Sequence, residues 1–271
     1  MKIAVITTLN DNLIKAKLVP LAVIHQVKEI YFITDSIGPS IPKVHYIIPS
    51  AILSKIPLHK SLTKFILLLW ICLRNKPELI MSYNILPHGY SAFIIGKVLR
   101  KKVFQHLIGG FSDIKTEYQN SDNSMVMRFP ILAKLFTQLN KFVVKNSDLI
   151  FVPGQSTQLR LINELNIPES KIVILHSSID TNYFKPQKSD LVYDIIVVSA
   201  LEVRKRIDLL LKVISSVKKT IPSVKVIILG KGSLKSNFLS LQMNLELEIM
   251  SSFLIFNLMF KSFIGNLKSL F

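Results

Sequence analysis

The residue types that can do chemistry gather in a few short stretches. Arg204, Lys205 and Arg206 form a basic turn between an apolar run, residues 194–200, and a run with helical spacing, residues 207–219. The apolar run 224–230 follows and breaks at Gly230 and Gly232. Parallel strand ends of this kind bind phosphorylated ligands, and cations there neutralise charge on a leaving group. A second group closes the run KVFQHLIGG: His106 within it, Gly109 and Gly110 at its end, and Asp113 just beyond. Glycines there suit a ligand-contacting loop, and a carboxylate can meet a hydroxyl. Asn10 opens a polar first turn with Asp11 and Asn12, whose backbone amides can also face a ligand. Each stretch has a plainer reading: a solvated basic turn, ordinary strand-to-helix turns, and a histidine satisfied in the core. His88 follows Pro87 and reads as a surface or capping residue. His25, His45, His59 and His176 have no metal-ligand spacing, so no metal is expected.

The elements that must position these residues alternate along the chain. Strands are expected at 2–9, 29–35, 44–49, 78–83, 102–110, 148–154 and 171–176, read from β-branched and apolar runs. Helices are expected at 13–27 (interrupted by Pro20), 62–74, 88–100, 124–146 and 156–165, the last capped by Ser156. Alternation predicts an α/β fold, a doubly wound and mostly parallel sheet with right-handed crossovers. FKPQKSD, residues 184–190, reads as a linker, and a second α/β unit starts at Tyr193. The expected domains are 1–185, a linker at 186–192, and 193–271.

Bulk properties narrow the partners. The 271 residues carry a net charge of +17, which calls for an anionic partner. At 49% hydrophobic residues the chain is too apolar for a basic disordered tail. The basic clusters lack aromatic interleaving, so nucleic acid is the weakest of the candidate partners. Cys72 is the one cysteine, which excludes an intramolecular disulfide and suits a buried thiol. The longest apolar runs, 65–73 and 253–260, fall short of the ~20 residues a spanning helix needs. A cytoplasmic protein is expected. The helix around Leu62–Leu73, edged by Lys60, Lys64 and Arg74, reads either as a core helix or as an interfacial one on the inner, anionic membrane face.

The order of motifs resembles family 4 (group 1) glycosyltransferases over roughly residues 1–238. The stretch SDLIFVPGQSTQLRLINELNIPESKIVILHSSIDTNYFKP is similar to the middle of that family, closing on Ile179, Asp180, Phe184 and Pro186. Residues 77–110 are similar to its acceptor half, and VSALEVRKRIDLLLKVI to the start of its donor half. The resemblance implies a GT-B fold, two Rossmann-like domains facing a cleft. It implies a retaining hexosyltransferase that moves a sugar from a nucleotide-sugar donor to a polysaccharide or glycolipid acceptor, with no cofactor and no bound metal. It places Lys205, Arg204, Arg206, Gly230 and Gly232 at the donor, Gly109, Gly110, Asp113 and Asn10 at the acceptor, and His106 at the catalytic centre. The sequence departs from the pattern at Ser199 and Ala200, where a glycine and an arginine are usual, and at Asn10–Asn12, where glycines are usual. The family's later glutamate pair is missing. The tail from Leu239 has four charges in 33 residues and one glycine, Gly265. These features lead to the expectation of a truncated or frame-shifted donor domain with impaired transfer. The alternative expectation is a non-catalytic acceptor-binding or peripheral membrane protein.

Overall fold

The computed structural model describes residues 1–50, 60–115, 124–176, 193–245 and 250–252. The chain divides into two compact units, Met1–Ile179 and Asp180–Phe271. The linker stretch 184–190 and the signature residues Ile179, Asp180, Phe184 and Pro186 lie outside the described residues.

In the first unit the strands are β1 (Lys2–Ile6), β2 (Glu29–Ile33), β3 (Val44–Ile47), β4 (Leu79–Ser82), β5 (Lys102–His106), β6 (Leu149–Val152) and β7 (Ile172–Ile174). They form one sheet in the order β3-β2-β1-β4-β5-β6-β7, parallel at every pairing. Burial on both faces explains their continuous apolar runs: β1, β2 and β4 are buried along almost their whole length. The order reverses between β1 and β4, so the crevice beyond their C-terminal ends is the switch point where such sheets take ligands.

Helix α1 (Asp11–Val23) packs on one face of the sheet with Ile3, Val5, Phe32 and Met81. Helices α2 (Lys60–Arg74) and α3 (Tyr90–Val98) pack on the opposite face against Ala4, Ile6, Ile80 and Val103. Helices α5 (Ala133–Asn146) and α6 (Gln155–Leu165) pack with Ile150 and Val152. Gln105 is paired in register with Ile150 and lies two residues from Val103, so α2, α3, α5 and α6 share one layer. Cys72 is buried in that layer, and burial pushes its thiol up to about 11.

Three local expectations are corrected. Residues 124–146 are not one helix: α4 (Ser124–Arg128) stops before Pro130, and a short turn Pro130–Leu132 leads into α5. A proline ring cannot continue the helix because it lacks the N–H and clashes with the preceding turn. Ser156 does not cap α6, which starts at Gln155 after Gly154, so Ser156 already lies in the first turn. Helix α1 starts at Asp11 rather than Leu13, because Asn10 caps it through Oδ1, which accepts the Leu13 N–H at 3.0 Å.

The second unit has a parallel sheet in the order β10-β9-β8, from β8 (Ile195–Val198), β9 (Val226–Leu229) and β10 (Met250–Ser252). Helix α7 (Ile207–Thr220) connects β8 to β9 and buries Ile207, Leu211 and Ile214. Lys218 and Lys219 sit in its last turn, where they oppose the negative end of the helix dipole. The tail is more regular than its composition suggests: α8 (Lys235–Asn244) runs through Leu239, and β10 adds a third strand. Residues 253–271 lie outside the described residues.

Candidate functional site

Two strand-end sites emerge, one in each unit. In the first unit the switch point holds a polar cluster that the sequence did not reveal. Thr8 leaves the end of β1, Asp35 follows β2, His88 lies in the wide turn Ile85–Gly89 after β4, and Lys64 comes from the start of α2. Lys64 is 2% exposed, not a solvated helix edge. Its Nζ donates to Asp35 Oδ2 at 2.8 Å and also to Thr8 Oγ1. Thr8 Oγ1 in turn donates to Asp35 Oδ2 at 2.8 Å. A lysine is buried only when paired, and here one carboxylate and one hydroxyl pair it. Burial pushes the Asp35 carboxyl up, but the hydrogen bonds from Lys64 and Thr8 and the Lys64 charge outweigh it, leaving it below its ordinary value.

His88 is the second correction at this site: it is 5% exposed, not a surface residue. Its Nε2 lies 3.4 Å from Thr8 Oγ1, and its Nδ1 is buried with no partner among the described residues. Burial, reinforced by the Lys64 charge and opposed by Asp35, lowers its pKa to about 4, so the ring is neutral at ordinary pH. Gln105 holds its turn in place. The Gln105 Nε2 donates to the Gly89 carbonyl at 3.1 Å, while its Oε1 accepts from Ser82 Oγ. A Cβ on Gly89 would meet Gln105 Oε1 at 2.6 Å, so the turn needs glycine there.

The residues expected at the acceptor side are more locally committed. His106 is 5% exposed between Phe151 and Tyr83, each ring 4.5 Å away, and burial lowers its pKa to about 3. It is on the opposite face of the strand from Gln105, the α1 side of the sheet. Gly109 donates its N–H to Asp113 Oδ2 at 2.8 Å, so that carboxylate is engaged in closing its own turn. Gly110 has φ 68°, a conformation that favours glycine, and a Cβ there would meet Thr157 Oγ1 at 2.8 Å. Asn10 uses its side-chain oxygen as the α1 cap.

In the second unit β8 and β9 run parallel, so the turns after both strands lie at one edge. Val203–Lys205 form a single helical turn before α7, and the Arg204 backbone lies within it. Lys205 is exposed. Arg206 adopts a left-handed backbone (φ 50°) and pairs with Asp208, Nε to Oδ1, at 3.2 Å. Gly230 and Gly232 are required by backbone packing within the unit. A Cβ on Gly230 would come 1.9 Å from the Ser199 carbonyl, and one on Gly232 would come 2.3 Å from the Leu201 carbonyl. Leu201 ties the two turns together: its N–H donates to Lys231 O at 2.9 Å and its carbonyl accepts from Leu234 N at 3.2 Å. Among the described residues no three His, Cys, Asp or Glu side chains group to hold a metal ion.

Three solved structures show what this geometry is similar to. Sucrose-phosphate synthase of Thermosynechococcus elongatus matches with TM-score 0.64 and 14% identity, over 94% of this chain and 71% of its own. HepE of Anabaena, in complex with UDP-glucose, matches with TM-score 0.61 and 13% identity, over 93% and 69%. The UDP-GlcNAc 2-epimerase of Methanocaldococcus jannaschii matches with TM-score 0.54 and 13% identity, over 99% and 77%. No protein-family model matches the chain, and no curated protein matches it by sequence. At such low identity the likeness gives the fold alone. That fold is α/β and GT-B-like in its chain order, a Rossmann-like unit followed by part of a second.

Proposed function

We propose that this chain is a glycosyltransferase-type protein that takes a nucleotide sugar at the second unit and passes the sugar to a glycan or glycolipid acceptor. The observation that carries the reading is Lys205. It stands exposed in the turn after β8, at the edge shared with the end of β9, where an anionic diphosphate is stabilised by a cation and by a helix N-terminus. HepE with UDP-glucose and the UDP-GlcNAc epimerase, proteins of similar fold, handle nucleotide sugars, which supports the same ligand class here. The resemblance to family 4 adds the finer reading of retaining hexosyl transfer in polysaccharide assembly. Within it Arg204 adds charge beside Lys205, while Arg206 is partly held by Asp208. The Gly230 and Gly232 backbone shapes the donor edge rather than opening it. Gly109, Gly110 and Asp113 form an acceptor-side turn, with Asn10 near it in role, and His106 is the proposed catalytic imidazole. The test is release of nucleoside diphosphate from UDP-, GDP- and ADP-sugars in the presence of polyol or lipid-linked acceptors. Release from one of them, lost in Lys205→Ala, supports the reading; no release from any counts against it.

A specific observation favours action at an anionic membrane surface. The outer layer of the first unit exposes Leu62, Ile66 and Trp70 on α2 and Leu135, Leu139 and Phe142 on α5, both at helical spacing. Residues 124–146 contain Arg128, Lys134, Lys141 and Lys145 and no acidic residue. Arg74 lies over the Trp70 ring at 5.2 Å, and Arg128 over Phe129 at 5.5 Å. Apolar stripes flanked by cations suit an anionic bilayer, whereas lysine is depleted at protein interfaces. Among the described residues no helix is long and apolar enough to cross a membrane, so docking would be peripheral.

A further inference from the structure

A groove of about 500 Å³ opens beside the edge strand β3 of the first sheet, and neither the donor reading nor the switch-point cluster uses it. One wall is Tyr46, Ile47 and Ile48, at the end of β3 and just past it. The other is Ile66, Leu67 and Trp70 of α2, with Ser50 beside them. Ile66 and Trp70 are four residues apart, so they share a helix face. Ile48, Ile66 and Trp70 are 37%, 40% and 47% exposed, so a ligand can reach both walls from solvent. Tyr46 offers its ring rather than its hydroxyl, which donates to the Pro39 carbonyl at 2.6 Å. The walls carry no charged side chain.

Charge stands at the rim. Arg74 follows Trp70 by one helical turn, and its guanidinium lies 5.2 Å from the ring centroid. Among the described residues it makes no ion pair. Helix α2 also carries Lys60 and Lys64 and no acidic residue, but both of those lysines act on Asp35. Arg74 is therefore the cation of α2 at this groove.

We propose that the groove takes one acyl chain of an anionic phospholipid, with Arg74 at the lipid phosphate. An apolar channel with a cation at its edge fits an amphiphile, chain inside and headgroup outside. A methylene fills about as much space as a water molecule, ~30 Å³, so the groove has room for roughly a 16-carbon chain. Ile66 and Trp70 also belong to the exposed stripe of α2 that starts at Leu62, so a chain can pass into the groove from a bilayer beneath that stripe. The bilayer as the lipid's source rests on the membrane reading; the lining and size of the groove do not.

Trp70 is the chain's one tryptophan, so its fluorescence reports on this groove. The full-length protein is titrated with decanoyl, lauroyl and myristoyl lysophosphatidylglycerol, each below its micelle concentration, and with glycerophosphoglycerol as the headgroup alone. A saturable change in Trp70 emission is expected from the lipids and none from the headgroup. Each two-carbon extension should tighten binding by about tenfold. Ile48→Asp and Ile66→Glu, at exposed positions where folding is nearly unaffected, should each weaken the lauroyl lipid by about tenfold. Arg74→Gln should weaken it by about fivefold and leave lauroyl lysophosphatidylcholine unchanged. Equal response to the headgroup alone, affinity indifferent to chain length, or lipid binding untouched by both carboxylates overturns the proposal. So does a Trp70 closed to acrylamide in the free chain, or a dimer in sedimentation that both variants break and lipid does not. Flotation with phosphatidylglycerol vesicles separates the two readings. Flotation without lysolipid binding sinks the groove alone, whereas lysolipid binding without flotation sinks the membrane reading and leaves the groove its lipid chain.

Discussion

Lys64 and His88 show how single residues at the switch point of the first unit set measurable behaviour. Lys64→Met removes the cation that Asp35 and Thr8 share, and leaves a carboxylate that is 31% exposed at its side chain. Complete burial would make the loss larger, so about 2 kcal/mol is expected from urea unfolding, with little pH-independent change in compactness. His88 and His106 bear on acid stability. Their folded pKa values are about 4 and about 3, below the ordinary histidine value, so the unfolded chain binds these protons more readily. The stability from keeping them neutral is full above roughly pH 6.5 and falls as pH drops toward the folded values. Between pH 7 and pH 5 each should cost about 2 kcal/mol. Replacing either with a neutral residue such as Gln should flatten that acid limb in paired urea titrations. An unchanged slope in both variants would refute the buried, neutral assignment. Asp35 acts lower, since its depressed pKa means its contribution is lost only below the usual carboxylate range. A core setting for His106 was one of the two readings its apolar strand offered, whereas the Lys64 and His88 contacts were not legible in the sequence. Lys64 meets Asp35 and Thr8 across 29 and 56 positions, and His88 meets Thr8 across 80. Spacing along one helix made Lys64 look like a charged edge.

At the scale of elements the sequence was far more informative. β-branched runs and helical spacing located the seven strands of the first sheet and the β8-α7-β9 unit, because burial on both sheet faces leaves a mark on every residue. Helix ends were less legible. Asn10 and Gly154, not Leu13 and Ser156, mark the starts of α1 and α6, since caps depend on the local backbone rather than on periodicity. Gly230 and Gly232 were visible as glycines, but their cause was not, since the Ser199 and Leu201 carbonyls that exclude a Cβ come from another strand end. Gly230→Ala should therefore destabilise the second unit by about 3 kcal/mol, seen as faster amide exchange in β8 and β9 with the first unit unchanged. Normal protection there would contradict the close approach. The outer face of α5 gives a separate test. Leu135 and Phe142 are more than half exposed, so Leu135→Glu with Phe142→Glu should leave thermal unfolding nearly unchanged. The pair should also cut flotation with phosphatidylglycerol-containing vesicles, and salt should weaken the parent's binding. Equal flotation of parent and variant would remove the membrane reading.

For the molecule as a whole, a +17 charge called for an anionic partner and alternating elements for an α/β fold, and neither alone named the ligand. Arg128, Lys134, Lys141 and Lys145 in residues 124–146, and Arg204, Lys205 and Arg206 after β8, are two of its basic stretches. The fold is shared with sucrose-phosphate synthase and with a UDP-sugar epimerase, so chain order alone does not choose between transfer and epimerisation. The central claim is the proposal that a nucleotide sugar binds at the second unit. Isothermal calorimetry of the full-length chain against UDP-, GDP- and ADP-sugars tests it most directly. The account predicts saturable binding of one nucleotide class, weakened about tenfold by Lys205→Ala and unaffected by His88→Phe. Absence of heat with all three classes, or binding that Lys205→Ala leaves intact, would contradict it.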